Sequence, residues 1–215
     1  MRDLILHIGL HKTGTSYLQK LMLGNRDLLH ESGIGLAPYM NLTSGTHHPI
    51  IAEIDREGPE KVFEAVAQAP GERVLISAEE LCVVMEDRGA AQAIRDAAAR
   101  HFNPKLVIFL RRQDHLKESV YAQIVKHWFV GDILDDDHYG YDHDARLRAL
   151  EEVFGRENMI VRIYEAHRKD LAGAFFEAIG APVERSRVRD VTPQNVSMNR
   201  MALFAFFGTK KKDFS

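Results

Sequence analysis

Four short apolar runs, at residues 4–8, 73–76, 105–110 and 159–163, lack the polar alternation expected of a strand with one wet face. Runs of Leu, Ile, Val and Phe without that alternation are strands covered on both sides, and such strands belong to parallel sheets. Between them lie stretches with helical apolar spacing, at residues 14–29, 60–68, 89–101, 114–129 and 145–154. Strands separated by helices imply parallel crossovers, so the chain reads as α/β, a parallel β-sheet flanked by helices on both faces. Pro59 suits a first helical turn, and Gly155 stands just past a periodic segment, as a C-cap would. Residues 168–179 read as one more helix closed by Gly180, and Ser197 is placed to cap a last apolar helix over 198–207. At 215 residues the chain is expected to form a single α/β domain over 1–215.

Charge narrows the function classes. A net charge of −3 and a pI near 6.4 leave no overall basic field, so nucleic acid is not an expected partner and any anion site must be local. The first strand starts at residue 4, which leaves no room for a secretory leader, and no apolar run reaches membrane-spanning length. The expectation is a cytoplasmic protein with no integral membrane segment. Cys82 stands alone among Leu81, Val83 and Val84 and reads as a buried thiol.

The first strand runs directly into Gly9-Leu10-His11-Lys12-Thr13-Gly14-Thr15-Ser16, and a helix follows. A strand, a glycine loop and a helix start aim free backbone N–H groups and the positive helix end at an anion. The glycines are spaced as in a Walker A loop, but Thr15 stands where that motif has its lysine. The loop's lysine is Lys12, three residues earlier, and it would meet a shorter anion chain from its other side. A plain glycine turn needs neither this lysine nor the three hydroxyls of Thr13, Thr15 and Ser16.

Lys12-Thr13-Gly14-Thr15-Ser16, after a hydrophobic strand and before Leu18-Gln19, resembles the 5'-phosphosulfate loop of sulfotransferases that use 3'-phosphoadenosine 5'-phosphosulfate (PAPS). The resemblance implies a three-layer architecture like that of P-loop NTPases. It also implies that Lys12 contacts the oxygen bridging phosphate and sulfate, and that Thr13, Gly14, Thr15 and Ser16 cradle the 5'-phosphate. PAPS would be the cofactor and 3',5'-bisphosphoadenosine its product. No metal is expected, because the transferred group carries one negative charge.

A second segment follows the strand at 105–110, which ends in Arg111-Arg112 before the next helix. Ligands of open parallel sheets bind at the carboxyl ends of strands, and the arginine fork meets phosphate oxygens in pairs. The family's 3'-phosphate motif is similar, with an arginine after a strand, a serine eight residues on and a tyrosine two further; Arg111, Ser119 and Tyr121 fit that spacing. Arg112-Gln113 departs from the usual Asp-Pro. Successive strand residues face opposite ways, and Arg111 is the expected ligand of the pair.

The acceptor needs a base. Glu79 and then Glu80 follow the strand at 73–76, an arrangement similar to that of sulfotransferases acting on glycosaminoglycans, and Glu79 is the first choice. His47-His48, in a loop of small polar residues, is the rival, with His48 a catalytic candidate beside Glu79. His7 is expected to pack on the sheet. Asp135-Asp136-Asp137-His138 with Asp142-His143-Asp144 reads as a solvated acidic loop, since its spacing matches no set of metal ligands. Trp128, Phe129, Tyr139 and Tyr141 are candidates for lining an acceptor cleft, and Asn195-Val196-Ser197 resembles an element near the end of bacterial relatives. The acceptor is expected to be a carbohydrate, a lipid or another small molecule with a hydroxyl or amine. Two rival readings stand: a P-loop kinase or nucleotide hydrolase using ATP and magnesium, with Glu79 as a metal ligand, and a nucleotide-binding relative without turnover.

Overall fold

The structure is a computed structural model that describes residues 1–127, 142–181 and 183–191. Its centre is a five-stranded parallel sheet. The strands are β1 (Arg2–His7), β2 (Ile34–Leu36), β3 (Arg73–Ser77), β4 (Phe102–Leu110) and β5 (Met159–Ile163), in spatial order β2-β3-β1-β4-β5. Between β1 and β2 lie α1 (Thr15–Gly24) and α2 (Arg26–Glu31), and between β2 and β3 lie α3 (Pro49–Glu57) and α4 (Pro59–Val66). Next come α5 (Leu81–Val84) and α6 (Arg88–Ala99) before β4, then α7 (Gln113–His127) and α8 (His143–Phe154) before β5. Last are α9 (Tyr164–His167) and α10 (Leu171–Ala178). This is the α/β, P-loop NTPase-like arrangement that the sequence implied.

Side-chain parity along the strands makes the layers. Leu4, Leu6 and Ile8, with Leu106, Ile108 and Leu110, bury one face of the sheet against Val62, Phe63, Ile94, Ala98 and Phe154. Ile5, Leu75, Val107 and Phe109 bury the other face against Leu18, Leu21, Met22, Phe175 and Phe176. Each of these side chains contributes roughly 1.5–3 kcal/mol by leaving water, so both faces need helices. β1 takes both neighbours, with Leu6 opposite Ile76 on β3 and opposite Leu106 on β4. Pro104 sits opposite Leu4, ahead of the point where β5 begins to pair at Leu106. There its missing N–H breaks no ladder on the outer side.

Several elements depart from the sequence pattern. β2 has three residues, too few to show a period, and its Gly35 is dictated from afar: a Cβ there would stand 1.7 Å from the Pro70 carbonyl oxygen. The helix expected over 14–29 breaks at Asn25, whose amide donates to Leu21 O at 2.8 Å and Arg189 O at 2.9 Å and accepts from Arg189 N at 2.8 Å. That side chain bonds backbone groups 164 residues away, so tertiary contacts override the helical pattern. The helix expected over 168–179 is α10, Leu171–Ala178, which starts where Asp170 caps it by accepting from Gly173 N at 3.0 Å; α9 had no counterpart in the sequence reading. Asp87 caps α6 in the same way, through Ala90 N at 2.7 Å. α3 had no counterpart in the sequence reading. Gly155 ends α8 with φ 80°, as its position implied, and Cys82 is buried. Among the described residues, no helix is long and apolar enough to cross a membrane.

Candidate anion-binding site

The carboxyl edge of the central strands gathers three segments. The first is the loop after β1. It stays stitched to β4 beyond the strand end, through Leu10 N to Phe109 O at 3.0 Å and Phe109 N to Gly9 O at 2.7 Å. The buried Thr13 closes the loop on itself by donating its hydroxyl to Leu10 O at 2.6 Å. Lys12 adopts φ 63°, a left-handed conformation that costs a non-glycine residue roughly 1–2 kcal/mol. Gly14 has φ 82°, and a Cβ on it would lie 2.6 Å from Leu171 Cδ2 of α10, so both backbone angle and packing require glycine there. The N-cap of α1 is Gly14, which has no side chain to cap the helix, and no acidic residue stands in its first turn. Its N–H groups and positive helix end therefore remain available to an anion. Of the loop hydroxyls, Thr15 donates to Glu79 Oε2 and Ser16 is exposed.

The second segment is the end of β4. Continuing the parity of Val107 and Phe109, Arg111 turns to the face carrying the phosphate loop, and its Nη1 donates to Lys12 O at 2.8 Å. Its guanidinium carbon lies 5.5 Å from the Tyr164 ring centroid, within cation–π range. Its Nε is 4.0 Å from Glu165 Oε1 and is a buried donor without a hydrogen-bond partner among the described residues. His143 Nε2 donates to Arg111 O at 2.7 Å. Arg112 points outward, 64% exposed, and pairs with Asp114. Ser119 is half-buried in the second turn of α7, beside the buried Leu116 and Val120.

Tyr164 and Glu165 were not found by sequence reasoning, and His143, read there as part of a solvated acidic loop, is instead half-buried against Arg111 O. The first two follow β5 directly, so the rule that strand ends carry ligands could have found them; nothing local marks His143. In the run 135–144, Asp142 caps α8 by accepting from Ala145 N at 3.0 Å, and Asp144 pairs with Arg148. Asp135, Asp136, Asp137, His138, the aromatic group Trp128, Phe129, Tyr139 and Tyr141, and the Asn195-Val196-Ser197 element lie outside the described residues.

The third segment is the end of β3, where the two histidines of the rival base pair separate. His47 is fully buried. Its Nδ1 accepts from Ser77 N at 3.2 Å and its Nε2 faces Ala37 O at 3.2 Å. Both ring nitrogens are used, burial pushes the group down to about 4, and it cannot serve an acceptor. His48 is half-buried, and its Nε2 meets Glu80 Oε2. His7 packs on the sheet, 5.1 Å edge-on from Phe175. Its Nδ1 lies 2.8 Å from Ser77 Oγ, and burial, opposed by the nearby Glu79, lowers it to about 4.

Glu79 stands beneath the phosphate loop. One carboxylate oxygen takes the Thr15 hydroxyl, and the other lies 3.7 Å from His11 Nδ1. Burial alone would raise the Glu79 carboxyl, but bonds from His11 and Thr15 outweigh it and hold the group below the ordinary carboxylate value. Burial likewise works to lower His11, yet its contacts with Cys82 and Glu79 prevail and push it up to about 10. Donor atoms of His48, Glu79 and Glu80 fall within 4.8 Å of one another. Each is engaged in the pairings just described.

No protein-family model matches the chain, and no curated protein matches it by sequence. Among solved structures, the fold is similar to that of a sulfotransferase from Alicyclobacillus acidocaldarius, with 19% identity and a TM-score of 0.55 over 97% of this chain and 92% of that one. It is also similar, at 15% identity and a TM-score of 0.41, to mouse sulfotransferase SULT7A1 complexed with PAP, covering 86% of this chain and 61% of that one. The bacterial likeness establishes that the chain has the fold of a sulfotransferase. Function has to come from the site.

Proposed function

We propose that the chain transfers a sulfuryl group from PAPS to a hydroxyl or amine of a small-molecule, lipid or carbohydrate acceptor. The observation that carries this reading is the bond from Arg111 to the Lys12 carbonyl, which places two cationic segments at one edge of the sheet. A nucleotide with phosphates at both its 5' and 3' positions needs two such anchors. The donor set fits it. α1 begins at a glycine N-cap with no side chain to cap it, Arg111 Nε has no hydrogen-bond partner among the described residues, and Thr15, rather than a lysine, occupies the position that would serve a triphosphate.

Lys12, Gly14, Thr15, Ser16 and the first turn of α1 would hold the 5' end, with Thr13 shaping the loop from within; Arg111 and Ser119 would hold the 3'-phosphate. Bound PAPS supplies an activated sulfuryl group on a phosphate leaving group. The chain's contribution is alignment of that group with the acceptor and a cation, Lys12, where negative charge grows on the leaving oxygen. A proton must also leave the acceptor, and Glu79 and His48 are the candidates to take it.

The experiment is a thermal-shift panel of 3',5'-bisphosphoadenosine, PAPS, ATP and ATP with Mg²⁺, followed by a transfer assay with labelled PAPS. Bisphosphoadenosine at a hundred times its Kd should stabilise the fold by about 2.7 kcal/mol without added metal. Lys12→Ala should lower the transfer rate by about a hundredfold or more, as removal of a preorganised electrostatic group does. Stabilisation by ATP–Mg²⁺ alone would instead favour a kinase. Binding of bisphosphoadenosine with no acceptor ever sulfated would leave a nucleotide-binding relative.

A further inference from the structure

Leu110, the last residue of β4, stands opposite Ile163, the last of β5. In that register the residues that follow the two strands are neighbours as well, Arg111 beside Tyr164 and Arg112 beside Glu165. The contacts agree. The Arg111 guanidinium carbon is 5.5 Å from the Tyr164 ring centroid, and Arg112 N donates to Glu165 Oε1 at 3.1 Å and Oε2 at 3.2 Å. Glu165 Oε1 also lies 3.3 Å from His115 Nδ1, in the first turn of α7, and 4.0 Å from Arg111 Nε. One side chain therefore grips the joint between β4 and α7 at its backbone and at the first helical turn.

That joint sets the geometry of the proposed 3'-phosphate anchor. Arg111 comes just before it, and Ser119 comes two turns along α7. A slip of α7 by one residue about its axis would swing Ser119 through about 100°. On its other side Arg111 is held by Lys12 O at 2.8 Å and by Tyr164, whose Cε2 would lie 3.6 Å from a Cβ on Gly14. A strand-end arginine and a helical serine can share one anion only if the turn between them is fixed. Burial pulls the Glu165 carboxyl upward, but the N–H bonds from its own backbone and from Arg112, with His115 and Arg111, outweigh it and hold the group below the ordinary carboxylate value.

Resting on the sulfuryl-transfer reading, we infer that Glu165 is a positioning residue: it clamps the β4–α7 joint so that Arg111 and Ser119 meet one phosphate, and thereby sets the preference for a 3'-phosphorylated nucleotide. It acts through its reach to Arg112 N and His115 more than through its charge, so a side chain of equal length with one acceptor oxygen should replace it.

The test has a binding arm and an exchange arm. In calorimetry, the native chain should bind 3',5'-bisphosphoadenosine about a hundredfold more tightly than adenosine 5'-phosphate, as two contacts to a charged phosphate would give. Glu165→Ala should cut that preference about tenfold by weakening the bisphosphate alone. Glu165→Gln keeps the reach and should hold the preference within about threefold. Glu165→Asp keeps the charge, is one methylene short and should lose preference as the alanine variant does, so it answers if Glu165→Ala fails to fold. In amide hydrogen exchange, the Arg112 N–H should be protected in the native chain and exchange at least about tenfold faster in Glu165→Ala or Glu165→Asp. The Leu10 N–H, bonded to Phe109 O at 3.0 Å, should not change and reports any general loosening.

Four results would overturn the inference: an unprotected Arg112 amide in the native chain, a preference unmoved by Glu165→Ala and Glu165→Asp, equal weakening of both nucleotides, or Glu165→Gln losing as much as Glu165→Ala. Should the native chain bind the two nucleotides equally, the sulfuryl-transfer reading falls and takes the selective role of Glu165 with it. A protected Arg112 amide would then leave the clamp as a feature of the fold alone.

Discussion

Stability should peak near pH 6.5 and fall on both sides, because the buried His7 and His47 are displaced downward and the half-buried His11 upward. His7 and His47 are 1% and 0% exposed and are lowered by burial to about 4. Below pH 6.5 the unfolded chain binds a proton at each while the folded chain does not, so stability declines as pH falls toward 4. A displacement from 6.5 to about 4 corresponds to roughly 3–4 kcal/mol per histidine. The two together reach roughly 7 kcal/mol, against a total stability of about 5–15 kcal/mol for a typical domain. The alkaline limb has the opposite sign. His11 is raised to about 10, so its contribution is complete below pH 6.5 and is lost as pH rises from there toward 10. Glu79, held low, adds to the acid loss only below its ordinary value of 4.5. Urea unfolding at half-unit steps from pH 4 to 10 measures the curve, whose acid limb should approach about 2.7 kcal/mol per pH unit at its steepest. His7→Asn should halve that slope whatever it does to absolute stability. A flat profile between pH 6.5 and 4, or a slope unchanged by His7→Asn, would refute the reasoning.

Other perturbations test the site's construction. Gly14→Ala forces a side chain into a left-handed backbone and onto Leu171; a loss of about 1–2 kcal/mol in urea unfolding is expected, with weaker bisphosphoadenosine binding. Arg111→Lys keeps the charge but loses the planar fork held 5.5 Å from the Tyr164 ring centroid, and calorimetry should show about tenfold weaker bisphosphoadenosine. Arg112→Ala, in an exposed pair, should stay within about twofold of the native affinity. Asn25→Ala leaves Leu21 O and the Arg189 backbone without their partners, and chemical denaturation should register about 1–3 kcal/mol.

Residues 4–8 followed by a glycine loop, and residues 105–110 followed by Arg111, were legible because they are written in local patterns. Apolar runs without alternation declare a strand covered on both faces, and strand parity put Arg111 and Arg112 on opposite sides, as the structure does. None of this required knowing what lay across the sheet.

What only the tertiary structure decided are the meetings between distant segments. Strand order placed β3 and β4 on either side of β1, and that brought Glu79 under a loop 64 residues earlier and Arg111 to a carbonyl 99 residues earlier. Adjacent histidines with the same loop context acquired opposite environments: His47 is locked between Ala37 and Ser77, while His48 is left half-open beside Glu80. β2 and the break at Asn25 arose in the same way, from Pro70 and Arg189. Periodicity reports which face of an element is apolar. Which groups then share a dielectric, a proton or a hydrogen bond depends on how the crossovers stack the elements, and a one-dimensional pattern does not carry that.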